Sequence, residues 1–220
     1  MSAHSLIPTL RLALLDIFVP VACAGCGDSG ASPCPRCSAL LAHIPAHALS
    51  IPDIDAPIFA KSQYKGVTRR LLLAHKDGGR NGLTTPLGLA LADAVKQSLT
   101  AVVPPPGKLV LVPVPSRSVN IRRRGRFTTG ELAHVARKDV PFPAVVESLL
   151  RITQPVLDQV GLSRAQRQSN MEFAMTSLPG NADVVIVDDV ITSGASVREA
   201  YRALTHAGHN VISIAAVCAR

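Results

Sequence analysis

The chain of 220 residues is long enough for one sizeable domain, or for one domain with a small appendage. Hydrophobic residues make up 47% and charged residues 17%, which is typical of a packed globular protein and excludes a disordered one. The net charge of +8 favours anionic partners, whereas an aromatic content of 3% without tryptophan argues against a base-stacking platform for single-stranded nucleic acid.

The N-terminal stretch 6–21 is apolar, but it does not have the pattern of an export signal. Arg11 and Asp16 interrupt it, and a signal needs an uninterrupted apolar centre. Its spacing predicts instead an amphipathic helix with one apolar face, formed by Leu10, Leu14 and Ile17. No apolar run reaches the length of a membrane span. We therefore expect a cytoplasmic protein without membrane contact.

Four of the five cysteines form two C-x-x-C pairs, at Cys23, Cys26, Cys34 and Cys37. This spacing can place four thiolates around a tetrahedral ion and favours a structural zinc (Zn²⁺) site. Disulfide bonds are the alternative, but a cytosolic chain disfavours them, and redox chemistry would need only one pair. The fifth cysteine, Cys218, lies in an apolar run and is predicted to be buried in the core.

We expect two units along the chain. An N-terminal helix and the four-cysteine knuckle occupy 1–50, and an α/β domain occupies 58–220. Prolines at 45, 52 and 57 mark a predicted linker. Beyond the linker, helical patterns at 66–74 and 87–95 precede an apolar run at 109–114 that lacks the alternation of a half-exposed strand. Strands separated by helices predict a mainly parallel sheet flanked by helices.

A basic segment follows this predicted strand. It contains Ser116 and Arg117 and then four arginines within 122–126, and no acidic residue occurs between Asp93 and Glu131. A solvated loop is the usual interpretation of such a charge run. The alternative is a role for Ser116 and Arg117 beside a leaving pyrophosphate, because arginines stabilise developing negative charge. For the arginines of 122–126 both interpretations stay open.

The most informative stretch is 184–196, in which an unbroken apolar run ends at Asp188 and Asp189. Ligands of parallel sheets collect at the carboxyl ends of strands, where these two acids are expected. Ser196 and Glu199 predict a capping box for the helix that follows. The loop before that helix would offer free backbone N–H groups to a phosphate, and Gly194 would allow close approach.

The two carboxylates and the loop together predict a site for a ribose 5-phosphate unit. A vicinal diol would donate to Asp188 and Asp189, while the loop holds the phosphate. Paired acids also occur in phosphoacceptor domains, but a hydroxyl-rich loop directly after the acids fits that class poorly. The absence of a loop lysine and of a G-x-G-x-x-G motif argues against a P-loop or a dinucleotide fold.

This stretch resembles the phosphoribosyl-pyrophosphate (PRPP) signature of type I phosphoribosyltransferases. The resemblance implies that Asp188 and Asp189 are the catalytic acids, which hold the ribose hydroxyls, and that Mg²⁺ accompanies PRPP. It also implies a PRPP-binding loop that contains Val190, Thr192, Ser193, Gly194, Ala195 and Ser196.

Over nearly its whole length the chain resembles the ComF family. The shared features, in order, are the four cysteines, Tyr64-Lys65-Gly66, His75-Lys76, the Val-Pro-Val-Pro stretch at 112–115, the polar segment 161–170 and the PRPP loop. Family members are phosphoribosyltransferase-like proteins, some of them linked to DNA uptake during natural transformation. One departure concerns an Arg-Gly-Phe-Asn-Gln-like stretch of many members, which here reads Arg-Gly-Arg-Phe-Thr-Thr at 124–129.

The sequence thus predicts a phosphoribosyltransferase that moves phosphoribose from PRPP to an acceptor that the sequence does not specify. The alternative is a non-catalytic sensor of PRPP or a nucleotide, or an accessory protein that handles single-stranded DNA with a helicase partner. Only about a dozen residues follow Gly208, so we expect the N-terminal zinc segment to cover the site in place of a C-terminal hood.

Overall fold

The computed structural model describes residues 22–102, 107–116, 118–153 and 173–220. Its strands are β1 (His47–Leu49), β2 (Ile58–Gln63), β3 (Leu109–Pro113), β4 (Ala144–Val146), β5 (Leu150–Ile152), β6 (Met175–Ser177), β7 (Asp183–Ile191) and β8 (Asn210–Ala219). Its helices are α1 (Pro35–His43), α2 (Gly66–Lys76), α3 (Thr84–Thr100), α4 (Ser118–Arg124), α5 (Thr128–Ala136) and α6 (Ala195–His206), with a 3-10 turn at Asn81–Leu83.

The main sheet has the strand order β1-β2-β8-β7-β3-β4. All its neighbouring strands pair in parallel except β1, which runs antiparallel to β2. Strands β5 and β6 form a separate antiparallel pair. This architecture confirms the predicted mainly parallel α/β fold.

Helices cover both faces of the sheet because its inner strands are apolar on both sides. Val185 and Val187 pack in one core cluster with α3 and α5, while Val184 and Ile186 pack in the other with α6. All four side chains are fully buried. An unbroken apolar sequence is therefore what a central strand of such a sheet requires.

The strand order reverses between β3 and β7. From β3 the chain passes to β4 on one side, and it later returns to β7 on the other side and continues outward to β8. Helices α5 and α6, which follow β3 and β7, lie on opposite faces. Such a reversal leaves a crevice outside the carboxyl ends of the two strands, which is where open α/β sheets bind ligands.

The apolar strand is longer than predicted. It does not end before the two acids but continues through Asp188 and Asp189 to Ile191, because β8 pairs alongside it as far as Ala219. The acids thus lie inside a paired strand, where the ladder fixes their backbone.

The predicted capping box at Ser196 is wrong. Helix α6 begins at Ala195 with Gly194 as its N-cap, and no side chain caps it. Glu199 is buried and accepts hydrogen bonds from the Met175 backbone N–H at 2.9 Å and from the Arg202 guanidinium. It joins α6 to β6 rather than closing the first turn of its own helix.

The stretch predicted as a linker contains a strand of the sheet, since β1 pairs with β2. The predicted N-terminal helix and the polar segment 161–170 lie outside the described residues. The division into 1–50 and 58–220 stays a prediction. Within the described ranges, no helix combines the length and apolarity needed to cross a membrane.

Candidate functional site

A cavity of about 340 Å³ lies at the carboxyl ends of β3 and β7, in the crevice that the strand reversal creates. Its lining is mostly polar and is formed by Tyr64, Lys76, Val114, Pro115, Ser116, Asn120, Arg124, Thr129, Asp188, Asp189, Val190, Thr192 and Ser196. The topology alone locates a ligand site here, and the lining supplies anionic, cationic and hydroxyl groups.

The structure brings most of the predicted site residues to this cavity. Asp188, Asp189, Val190, Thr192 and Ser196 line it from β7 and the loop, and Ser116 lines it from the opposite side. Ser193 and Gly194 lie in the turn between β7 and α6, and Ala195 begins α6; none of the three appears in the lining. Arg117 lies outside the described residues. The ligand roles assigned to these residues stay predictions.

The two acids have different partners. Asp189 is almost fully buried, and its Oδ2 lies 2.6 Å from the Lys76 Nζ and accepts a hydrogen bond from the Thr129 hydroxyl at 3.3 Å. Asp188 Oδ1 instead accepts the backbone N–H of Asp189 at 2.8 Å. One carboxylate is therefore balanced by a cation, and the other is held by a neutral donor.

These environments move the two pKa values in opposite directions. Burial and the neighbouring Asp189 carboxylate raise the pKa of Asp188 well above its ordinary value. Burial acts in the same direction on Asp189, but the Lys76 ammonium and the Thr129 hydroxyl outweigh it and hold the pKa of Asp189 below its ordinary value. The fold therefore stabilises the charge of Asp189 more than that of Asp188.

Glycine is required at position 194 by the backbone conformation, whereas the sequence predicted that it allows close approach of a phosphate. Its φ is +77°, and a Cβ at this position would lie 2.9 Å from the Ile51 Cδ1. The left-handed turn and the contact with Ile51 thus require glycine before any ligand is considered. This turn directs the loop from β7 into the first turn of α6, whose N–H groups lack intrahelical partners.

Sequence reasoning did not assign a site role to Lys76, Thr129, Asn120 or Tyr64, and it left the role of Arg124 open. Lys76 occupies the C-terminal end of α2, and Thr129 is the second residue of α5, so both are far from the acids along the chain. The only sequence signal for Lys76 was the shared His75-Lys76 pair, which gave no role. Thr129 lies in the stretch 124–129 that departs from the family pattern, and that departure gave no role either.

The four-cysteine cluster fits a zinc ion. The Sγ atoms of Cys23, Cys26, Cys34 and Cys37 all lie within 4.8 Å of one another. The Cys23 Sγ also accepts backbone N–H groups from Gly25 at 3.4 Å and from Cys34 at 3.2 Å, as a metal-bound thiolate would. A Cβ on Gly25 would lie only 2.7 Å from the Cys37 Sγ, so the knuckle has room for glycine alone. A closed set of four thiolates suits a structural ion.

A second cavity of about 490 Å³ adjoins the first at Tyr64, which lines both. Its other lining residues come from β1, the ends of β2 and β8, and the turn before α2: His47, Leu49, Gln63, Lys65, Ala219 and Arg220. Among the described residues, 22–43 contribute to neither lining. The expected cover by the cysteine segment therefore finds no support there.

The fold and this cavity agree with a comparison against protein-family models. The model of the phosphoribosyl transferase domain matches residues 110–220, just over half of the chain, and spans β3, β7 and the loop that follows. A search of curated proteins finds no match. The chain belongs to the phosphoribosyl transferase domain family.

Proposed function

We propose that this chain is a PRPP-binding phosphoribosyltransferase of the ComF type, which transfers the phosphoribosyl group to an acceptor and releases pyrophosphate. The observation that carries the proposal is the meeting of Asp188, Asp189 and the 192–196 loop at the strand reversal. Diol acceptors and a phosphate cradle occur there in one cavity.

The 5-phosphate belongs at the start of α6. The hydroxyls of Thr192 and Ser196 line the cavity, and the N-terminal N–H groups of the helix add the positive end of its dipole. The helix has twelve residues, so its dipole is well developed. This arrangement favours a dianionic phosphate without a loop lysine.

The ribose and the pyrophosphate belong between β7 and β3. Asp188 and Asp189 would accept the ribose hydroxyls, and their charge would favour the cationic character that the sugar C1 gains as pyrophosphate leaves. Ser116 and Arg124 line the side from which β3 ends, and Lys76 adds a second cation. Carboxylate oxygens suit Mg²⁺, which would supply charge neutralisation of the pyrophosphate when it is bound with PRPP.

The acceptor belongs in the second cavity, next to Tyr64. The first cavity, at about 340 Å³, is near the lower limit for ligand sites and leaves little space beside PRPP. The adjoining cavity adds about 490 Å³ on the other side of a shared wall. An acceptor there would approach the sugar without displacing the phosphate loop.

Calorimetric titration with PRPP in the presence of Mg²⁺ tests the donor site. The wild type should bind, and Asp188→Asn combined with Asp189→Asn should weaken binding by at least tenfold, since two charge-assisted hydrogen bonds are lost. Asp183→Asn is the matched control, because this substitution makes the same chemical change at the opposite end of β7. A wild type that does not bind PRPP contradicts the proposal.

A turnover assay separates the enzyme from the sensor. Release of pyrophosphate should depend on adding a nucleobase or amine from a panel of acceptors. Binding of PRPP without turnover across that panel would favour the alternative of a PRPP sensor. A salt-sensitive association with single-stranded DNA, with no PRPP binding, would favour the DNA-handling alternative.

We further propose that Cys23, Cys26, Cys34 and Cys37 bind one structural Zn²⁺. Elemental analysis of the purified protein should give one zinc per chain, and Cys34→Ser should abolish it. Cys218→Ser is the control, because Cys218 is fully buried in β8 and distant from the cluster in sequence.

A further inference from the structure

The basic segment after β3 forms hydrogen bonds with the end of α2 on both sides of Lys76. Asp77 accepts hydrogen bonds from the Arg124 Nη2 at 2.9 Å and from the Arg123 Nη2 at 3.1 Å. On the other side, the Arg126 Nη2 lies 2.7 Å from the His75 Nε2. Lys76, between these two contacts, is the residue whose ammonium reaches Asp189.

Arg126 is the most connected member of this segment. Its side chain is only 15% exposed, and its donors meet acceptors on four elements, α2, the 3-10 turn, α3 and α5. The Nε donates to the Glu131 Oε1 of α5 at 2.9 Å, and the Nη2 donates to the Thr84 hydroxyl at the start of α3 at 3.2 Å. The Nη1 donates to the Asn81 side chain, and the Nη2 also contacts the Glu131 carboxylate. A planar guanidinium can satisfy this many fixed acceptors, whereas a lysine cannot.

His75 completes the contact as a neutral, fully buried ring. Arg126 can only donate, so the His75 Nε2 is the acceptor and the ring proton lies on Nδ1. Burial and the Arg126 charge lower the pKa of His75 to about 4, which keeps the acceptor lone pair free at neutral pH. The bond from Arg126 is therefore present under physiological conditions.

We infer that Arg126 is a positioning residue, which holds α2 so that Lys76 and Arg124 face the pyrophosphate end of the donor site. We call its contacts the clasp; they are made with His75, Asn81, Thr84 and Glu131. The inference rests on the proposed function for its ligand. The clasp joins the segment that follows β3 to the end of α2, and both carry cavity-lining cations. It leaves the loop before α6 untouched, because none of the residues that Arg126 contacts belongs to β7 or α6.

This geometry predicts an effect confined to one end of the donor. Arg126→Gln should weaken binding of pyrophosphate with Mg²⁺ by roughly tenfold, the equivalent of one charge-assisted hydrogen bond. Binding of ribose 5-phosphate should change by less than about twofold, since its phosphate lies at α6. Arg126→Lys should fall between the wild type and Arg126→Gln for pyrophosphate. Arg122→Gln removes the same charge from the exposed face of the segment and should leave both affinities unchanged.

The titration of His75, followed by NMR of its ring proton, is a second readout that needs no ligand. Its pKa should rise from about 4 in Arg126→Gln, because the adjacent positive charge is gone. If Arg126→Gln weakened the binding of both ligands equally, or did not weaken the binding of pyrophosphate, the positioning role would be overturned. If the wild type binds neither ligand, the proposed function fails, while an unchanged His75 pKa in Arg126→Gln would overturn the clasp itself. Should Arg126→Gln not fold, Arg126→Lys and Glu131→Gln serve for the same comparisons.

Discussion

At the scale of single residues, the site depends on two adjacent carboxyl groups that the protein treats differently. Lys76 and Thr129 stabilise the charge of Asp189, while burial and Asp189 itself oppose the charge of Asp188. Adjacent residues of a strand point to opposite sides of the sheet, so β7 can give each acid its own surroundings. A diol that donates to Asp188 would stabilise a carboxylate charge that burial and Asp189 oppose.

Asp188→Asn should therefore stabilise the protein at neutral pH. A raised folded-state pKa means that ionised Asp188 destabilises the fold above its ordinary pKa, and that this penalty disappears at low pH, where the group is protonated in both states. We expect a gain of roughly 1 kcal/mol in the free energy of unfolding at pH 7, with loss of PRPP binding. Urea unfolding of both proteins at pH 7 and pH 3 measures it. A gain that persists unchanged at pH 3 would contradict the electrostatic cause.

His75 predicts a pH dependence of the opposite sign. Its pKa falls from 6.5 to about 4 on folding, so the unfolded chain binds the proton first and stability is lost as pH falls from 6.5 to 4. The loss should reach about 3 kcal/mol, because one pKa unit corresponds to about 1.4 kcal/mol. Unfolding of wild type and His75→Gln across this range isolates the effect, which should be missing from the variant.

At the scale of elements, the turn between β7 and α6 is set by backbone conformation before it is set by ligand chemistry. Gly194→Ala should cost roughly 1–2 kcal/mol, since alanine is strained at a φ of +77° and its Cβ would press on Ile51. Thermal unfolding measures the loss. Gly82→Ala is the matched control, because no atom lies within 4 Å of its Cβ position, and it should leave the melting temperature nearly unchanged. Equal effects of the two substitutions would contradict this account.

The elements also show what the sequence could and could not predict. The fold and the four-thiolate cluster were predictable because they follow from local sequence patterns. These patterns are the apolar runs of β3 and β7 and the two C-x-x-C pairs. The same local pattern predicted the acids near the carboxyl end of β7, but not that the paired strand continues past them to Ile191. The capping box failed because Glu199 has a tertiary partner, the backbone of Met175, that outcompetes the local one.

Lys76 shows the other limit. Its partner Asp189 lies more than a hundred positions further along the chain, and the contact depends on the core cluster that α2 shares with β7. A lysine at the end of a helix is most often solvent-exposed, and nothing in the surrounding letters distinguishes this one. The same holds for Arg126, which the charge pattern placed in a solvated loop or beside a ligand. In the structure its acceptors lie instead in α2, α3, α5 and the 3-10 turn at Asn81–Leu83.

At the scale of the whole molecule, α2 links the cysteine cluster to the donor site. The Arg70 Nε donates to the Gly25 carbonyl at 2.5 Å, and Val67 packs against the buried cysteines. Just beyond the helix, the Arg80 Nη1 donates to the Ala22 carbonyl at 2.6 Å. The cluster thus supports the element whose last residue is Lys76.

Removal of the proposed Zn²⁺ should therefore disturb PRPP binding as well as stability. We expect chelation to lower the melting temperature by roughly 10 °C, because a structural ion contributes several kcal/mol to folding. The affinity for PRPP should fall several-fold with it, and added Zn²⁺ should restore both. Calorimetry on chelated and reconstituted protein measures the effect. A chelated protein that melts lower but binds PRPP normally would contradict the link through α2.

The position of β8 within the sheet has a consequence for how the protein is made. This strand comes after all the other described elements, yet it lies between β2 and β7, and Ala216, Val217 and Cys218 are fully buried. During synthesis, β2 and β7 therefore leave the ribosome without the partner that will separate them, and each exposes an unpaired edge. The sheet that carries the acids closes only once residues 210–219 have emerged, so a chain interrupted shortly before them would hold every residue that lines the first cavity and still lack the strand that holds them in register.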